Sequence, residues 1–371
     1  MNFDFSDELH LLRDQARQFL RDNCPPARAR SVMMGTQSHD ATLWQQIAAM
    51  GWTGTTIPEQ YEGSGLGHLG LCVLAEELGY AIAPLPFSST LYLAAEALLL
   101  AGTEEQKSKW LPRLATGQAI GTFALSEGLN HCSASQVRTR FEGGRLSGVK
   151  MPVADGSLAD FAIVVARSDS GPGLCLVELK GDGVGSKPVA TLDPSRPHAQ
   201  LTFTRASAEP VGRPGDGEKL LDALYDRAAV LFSFEQLGGA QAALDMAKAY
   251  ALDRYAFGRP IGSFQAIKHK LADVFVAVEL ARSNAYYGAW ALSRNAPELP
   301  VAAATARACA TDAYWLAAKE NIQVHGGIGF SWESDCQLYY RRAKLLGLTI
   351  GNASRWKNRL IGHLETARRA S

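Results

Sequence analysis

The stretch Arg254-Tyr255-Ala256-Phe257-Gly258-Arg259-Pro260-Ile261-Gly262-Ser263-Phe264-Gln265 governs how this chain is read. It joins two long Ala- and Leu-rich segments with cations, aromatic rings and turn-forming Gly and Pro. Packing explains such a mixture poorly, because a plain interhelical connection needs turn residues but not rings and charges. A second stretch, Gln323-Val324-His325-Gly326-Gly327-Ile328-Gly329-Phe330, ends a helical segment in glycines that let a ligand approach bare backbone. Taken singly, each reads equally well as a helix-connecting turn or as a ligand site.

Around these stretches, apolar spacing predicts helices near 217–253, 264–294, 299–324 and 334–348, with a shorter one from 352. Long helices with short connections are the signature of a bundle. Upstream, from about 119 to 214, β-branched and aromatic runs alternate with Gly, Pro, Asp and Ser. Residues 141–146 read as a hairpin turn, and 161–166 and 174–179 as strands. These runs predict a small antiparallel barrel or sandwich. Strands and helices do not alternate, which disfavours a Rossmann domain. Residues up to about 118 are helical again. Ser6 is placed to cap a helix with Leu9, Leu12, Ala16, Phe19 and Leu20 at helical spacing, and Thr103-Glu104-Glu105-Gln106 is a capping box. The expected fold is therefore an α+β multidomain chain. An N-terminal helical domain spans 1–118, a middle antiparallel β-barrel 119–215, and a C-terminal helical bundle 216–371.

Composition removes several function classes. The chain of 371 residues carries 37 basic and 37 acidic side chains, so it lacks the basic excess that nucleic-acid binding requires. Its six cysteines form no C-x-x-C pair, and its histidines no H-E-x-x-H, which leaves zinc sites unsupported. The acidic N-terminus does not read as a secretory signal. The long uncharged stretch 78–95 is broken by Pro84 and Pro86 and does not read as a membrane span. A cytoplasmic location is the default for such a chain. Gly65-Leu66-Gly67-His68-Leu69-Gly70 matches G-x-G-x-x-G, but a turn-rich loop with Pro58 precedes it where a dinucleotide site needs a strand. Glu76-Glu77 invites a paired-carboxylate reading, and the expected alternative is the solvated side of a helix.

Together and in this order, the two motif stretches resemble the acyl-CoA dehydrogenase family, and the resemblance runs over almost the whole chain. Gly51-Trp52, Ile57-Pro58-Glu59 and the 63–67 stretch resemble its N-terminal helical domain. Ala124-Leu125-Ser126-Glu127 falls where the family opens its flavin-binding strand. The resemblance implies FAD-dependent α,β-desaturation of an acyl-CoA thioester, with a carboxylate taking the α-proton while the β-hydride moves to flavin N5. Desolvation that raises the carboxylate's pKa, and hydrogen bonds to the thioester oxygen, lower the barrier in such a reaction. It also implies an electron-transfer flavoprotein as electron acceptor.

The departures from the family pattern are informative. The tyrosine-glutamate-glycine triplet that carries the usual base falls on Thr349-Ile350-Gly351, and Ile350 cannot accept a proton. The alternative base position, 26 residues before Arg254, is Ala228. The family's T-E-P-G-A-G-S-D stretch appears as Ser126-Glu127-Gly128-Leu129-Asn130-His131-Cys132-Ser133, and its tryptophan-isoleucine-threonine as Pro152-Val153-Ala154. The set that in the family reaches across a dimer interface to a neighbour's FAD is kept: Arg254, Phe257, Phe264, Gln265, Gln323, Gly326 and Gly327. In the chain's own ring-binding set, Ser126 retains a hydroxyl while the rest is eroded. This pattern resembles subunits of heteromeric family members that act on bulky, sterol-derived acyl-CoAs beside a paralogous partner; the alternatives are a self-sufficient homomer with a relocated base and a non-catalytic structural partner subunit. If the chain is catalytic alone, Glu235 is the candidate base. It lies seven residues past Ala228 on the same helix face, about 10 Å along the axis. A solvated or ion-pairing role is its other reading.

Overall fold

The computed structural model describes residues 5–35, 38–128, 133–213 and 215–370. The spacing signals fold as they read, and of the two capping signals only Thr103 does. Asp7–Asn23 forms α1 behind Ser6, although the Ser6 side chain makes no capping hydrogen bond. Pro26–Met33, Ala41–Ala49 and Gly67–Tyr80 form α2, α3 and α4. Ser88–Ala95 is a buried π-helix that runs into α5, Glu96–Ala101. In α6, Glu104–Ala115, Thr103 and Gln106 exchange the two bonds of a capping box. After the strands come α7 (Gly217–Asp253), α8 (Gln265–Ser293), α9 (Leu299–His325), α10 (Cys336–Leu348) and α11 (Ala353–Ala370). Among the described residues no helix is long and apolar enough to cross a membrane.

By packing, the chain divides into two compact units, each drawn from several stretches. One holds the residues up to Ala29, His68–Ala83 and those from Ala229 on; the other holds Arg30–Gly67 and Pro84–Ala228. The first unit is helical. Its α4 and α7 touch backbone to backbone: a Cβ on Gly79 would lie 2.0 Å from the Glu235 carbonyl oxygen, and one on Gly238 1.8 Å from that of Glu76. Only glycine permits so close a crossing. Glu76 and Glu77 are buried there, which corrects the expectation of a solvated face. Glu76 is held by Arg13 at 3.3 Å and Arg282 at 2.5 Å, and Glu77 by two bonds from Arg17 at 2.8 and 2.9 Å. The sequence masks this because the paired arginines stand far off in the chain.

The second unit contains the strands: β1 Gly121–Ala124, β2 Arg140–Glu142, β3 Arg145–Ala154, β4 Phe161–Ser168, β5 Gly171–Glu178, β6 Val184–Val189, β7 His198–Ser207 and β8 Glu209–Val211. They form one eight-stranded sheet in the order β6-β7-β3-β2-β4-β5-β8, with β1 paired to β4. The expected antiparallel barrel is corrected in two respects. The sheet is mixed, since β1 and β2 both pair with β4 in parallel. Among the described residues its end strands do not pair with each other. Both end strands carry a proline, Pro188 in β6 and Pro210 in β8, and proline lacks the N–H that would extend a ladder. One face packs an apolar core that includes Leu146, Val153, Val164, Val177, Ala199, Leu201 and Phe203.

Candidate functional site for a flavin and an acyl thioester

In the helical unit the Arg254–Gln265 stretch folds as a hairpin. Tyr255–Ala256 (β9) pairs with Arg259–Pro260 (β10), and Phe257 and Gly258 form the turn with φ of 53° and 77°. Two positive φ angles in a two-residue loop match the right-handed twist of the flanking strands. The turn lifts Phe257 into solvent, 96% exposed. Phe264 precedes the first residue of α8, and the Arg259 guanidinium lies over its ring at 4.1 Å. Phe257 meets the same ring edge-on at 6.2 Å. The side chains of Arg254 and Gln265 are exposed and make no hydrogen bond among the described residues.

The second motif stretch joins the first through one apolar cluster. Ala247, Ala251 and Val324 form its buried centre, with Tyr250, Ile261, Ile267 and Leu271 packed against it. Helix α9 stops at His325, whose ring stacks on Tyr250 at 4.1 Å. Gly326 then turns with φ 63°, and a Cβ on Gly326 or Gly327 would meet nothing within 4 Å. Gln323 is exposed, and its side chain makes no hydrogen bond among the described residues. A guanidinium, two amides, an aromatic edge and bare backbone are thus held on one rigid surface. That donor set fits the phosphate and ring groups of a dinucleotide cofactor.

The strand unit holds the other candidates. Met151 N–H donates to the Ser126 carbonyl at 2.8 Å, and Gly128 N–H to the Met151 carbonyl at 2.9 Å. Lys150, wholly buried, fastens this pair of segments by donating to the Leu125 carbonyl and to Glu127 Oε1, each at 2.9 Å. Glu127 also accepts the backbone N–H of Arg138 and of Thr139, each at 2.8 Å. Burial pushes the Glu127 pKa up, but the bonds from Thr139, Arg138 and Lys150 outweigh it and hold it down at about 2. The backbone frame is therefore firm, while the side chains it presents are changed. Ser126 keeps a hydroxyl, Pro152 is exposed, and Ala154 offers only a methyl group. Leu129, Asn130, His131 and Cys132 lie outside the described residues.

Neither usual base position holds a carboxylate. Ala228 is buried. Ile350 follows α10 in the left-handed region, φ 55°, where a β-branched side chain is strained. Its preceding carbonyl, that of Thr349, accepts from Arg307 at 2.8 Å, and the same guanidinium donates to the Leu346 carbonyl and to Gln236. Full burial pushes the Arg307 pKa down to about 9, against the pull of Glu235. Glu235 is itself buried and ion-paired with Arg342 at 3.9 Å. Sequence reasoning missed Lys150 and Arg307. Each had a signal: Lys150 falls at a core phase of a strand, and Arg307 is a single cation within the run 302–308 of small residues.

Two family models match. Acyl-CoA dehydrogenase, N-terminal domain, covers residues 6–118, and Acyl-CoA dehydrogenase, C-terminal domain, covers residues 215–359. The chain belongs to the acyl-CoA dehydrogenase family. It is an oxidoreductase acting on acyl-CoA, and FAD is its cofactor. Acyl-CoA dehydrogenase IpdE2 of Mycobacterium tuberculosis is 33% identical over 338 residues, 91% of each chain. The Tcur3481–Tcur3483 steroid ACAD superposes with a TM-score of 0.89 at 32% identity, covering 98% of this chain and 99% of that one. The ChsE4–ChsE5 complex of Mycobacterium tuberculosis gives a TM-score of 0.90 at 28% identity, with the same coverage.

Proposed function

We propose that this chain is one subunit of a heteromeric acyl-CoA dehydrogenase that desaturates a bulky, sterol-like or branched acyl-CoA. In this reading Arg254, Phe257, Phe264, Gln265, Gln323, Gly326 and Gly327 complete the FAD site of a paralogous neighbour. One observation carries it. These residues stand on a surface braced by the Arg259–Phe264 stack and the Val324 cluster, yet Arg254, Gln265 and Gln323 bond to nothing within the described chain. FAD supplies the hydride acceptor. The proton acceptor belongs to the partner, because positions 350 and 228 here are Ile350 and Ala228. The pairing of Glu235 with Arg342 supports an ion-pairing role for that carboxylate. The resemblance to two paired assemblies, Tcur3481–Tcur3483 and ChsE4–ChsE5, supports the partner, and the steroid naming of the first supports the class of acyl group. The acceptor of the electrons in this reading is an electron-transfer flavoprotein. The three-part division at about 118 and 215 assigns the cross-subunit contacts to the last segment.

A second reading is a homomeric enzyme that also seats its own flavin ring on the Ser126 and Pro152–Ala154 face. The intact frame around Lys150 favours it. Flavin per chain, measured with and without the co-expressed paralogue and followed by an acyl-CoA dehydrogenation assay, separates the two. About half a flavin per chain, and turnover only with the partner, fits the heteromer. One flavin per chain with full turnover from the isolated chain sinks it.

A further inference from the structure

Position 154 has no hydroxyl, and the register of the sheet sets one side chain across from it. Ala154 pairs with His198, the first residue of β7. Directly opposed residues of an antiparallel pair point to the same face, with Cβ atoms roughly 4.5–5.5 Å apart. The adjoining pair, Val153 and Ala199, belongs to the buried core, so Ala154 and His198 lie on the other face. Pro152, exposed and two residues before Ala154, falls on that face by strand alternation.

The imidazole is fixed in one state. Its Nδ1 lies 2.9 Å from the Arg196 carbonyl, which can only accept, so Nδ1 carries the proton. Nε2 is then the acceptor nitrogen, and it has no hydrogen-bond partner among the described residues. Burial holds the ring below its ordinary pKa, against the attraction of Asp155, the hydrogen bond to the Arg196 carbonyl and the attraction of Asp193, while the Arg196 charge adds a smaller downward push. A buried polar chain stands behind it. Ser89 Oγ donates to Asp155 at 2.6 Å, Arg196 lies 3.7 Å from the same carboxylate, and Arg196 also donates to the Ser88 hydroxyl. Ser88 and Ser89 open the π-helix, a conformation that needs tertiary support and is frequent at functional sites. The chain therefore clamps the backbone of Arg196, and with it the orientation of His198.

We infer that His198 supplies, from the neighbouring strand, the polar contact to a flavin ring that position 154 lacks. The inference rests on the second reading above, in which this chain's own face meets a flavin ring. A neutral imidazole acceptor pairs with a ring N–H, and reduction adds one N–H that the oxidised ring does not have. The contact therefore favours the reduced cofactor, and it makes the face a remodelled seat instead of an abandoned one.

The test titrates FAD into the purified full chain, alone and with its paralogue, and measures the bound flavin's affinity and reduction potential. His198→Ala should weaken the reduced form relative to the oxidised one about tenfold, which lowers the potential by about 30 mV. Ala154→Thr added to His198→Ala should recover at least half of that shift. His198→Gln, which keeps bulk and an acceptor, should stay near the parent and controls for misfolding. A potential within 5 mV of the parent in folded His198→Ala, with flavin bound to the chain alone, overturns the role of His198 and leaves the flavin face standing. An isolated chain that binds no flavin overturns the face itself, and the inference with it, whatever flavin the assembly with the paralogue holds.

Discussion

Lys150 offers a direct test of how the strand unit is held together. Its ammonium is wholly buried and makes two bonds of 2.9 Å, to the Leu125 carbonyl and to Glu127. Replacing it by methionine keeps the volume but leaves that carbonyl without its donor and Glu127 without its buried counter-ion. An orphaned carbonyl costs about 1–3 kcal/mol, and breaking a buried ion pair from one side about 3–5 kcal/mol. Glu127 retains the N–H groups of Arg138 and Thr139, and methionine has no charge to desolvate, so the low end applies. The expected loss for Lys150→Met is about 3 kcal/mol, or roughly 6–12 °C in the melting of a unit of this size. The pH dependence has a definite sign. Glu127 is depressed from its ordinary 4.5 to about 2, so its contribution is complete above the ordinary value and disappears as the pH falls through about 2. The deficit of the variant should be full at neutral pH and shrink between about pH 4.5 and pH 2. Calorimetry on both chains across that range is the assay. A variant that melts within 2 °C of the parent at pH 7 would refute the claim that this pair fastens the Ser126–Gly128 segment to Met151.

Other outcomes follow from the same contacts. Gly238→Ala places a Cβ 1.8 Å from the Glu76 carbonyl oxygen, backbone against backbone, and should cost more than about 3 kcal/mol in denaturant unfolding. A loss below 1 kcal/mol would mean that α4 and α7 cross less tightly than described. Glu235→Gln removes the buried partner of Arg342 and should destabilise by about 3 kcal/mol while leaving turnover per folded complex unchanged. A turnover that collapses in the folded variant would make Glu235 the base. Ile350→Glu, in a chain loaded with FAD, should create acyl-CoA dehydrogenation where the isolated parent has none. Continued inactivity, with flavin and thioester both bound, would show that position 350 is not the vacated base position.

How far the sequence was legible depended on the range of the interaction. The helices from Gly217 onward and the hairpin at Phe141–Leu146 rest on local spacing and turn chemistry, and they appear as read. The sheet was legible as strands but not as a pairing pattern. Joining β1 to β4 in parallel spans the residues between Ala124 and Phe161, and nothing local encodes that distance. Burial of Glu76 and Glu77 was illegible for a similar reason, because Arg13, Arg17 and Arg282 reach them from α1 and α8. The candidate site divides in the same way. The cross-interface motif residues were visible as unusual composition inside turns. Lys150, Arg307 and His198 act through strand register and helix packing, which residue type alone does not disclose.

The exposed motif residues raise a question that burial cannot answer, since an unpaired polar group in water costs the fold almost nothing. What distinguishes Arg254, Gln265 and Gln323 is the rigidity of their mounting. An ordinary connection between α7 and α8 would tolerate many turns. This one holds Phe257 at a positive φ, a conformation that costs a non-glycine residue roughly 1–2 kcal/mol. It also orders the Arg259 side chain over Phe264, at the expense of rotamer entropy. Neither cost is returned by burial of Phe257, which is 96% exposed. A fold optimised only for its own stability would place Asn or Gly at that turn and leave the ring out. The hairpin therefore makes physical sense when a second body covers it, where the Phe257 ring is desolvated and the neighbouring guanidinium and amides find acceptors. Phe257→Gly separates the two situations. It should leave the isolated chain as stable as the parent or slightly more so, and it should weaken both partner association and flavin retention in the assembled enzyme. A variant that loses stability alone and assembles normally would return the hairpin to the status of a plain turn.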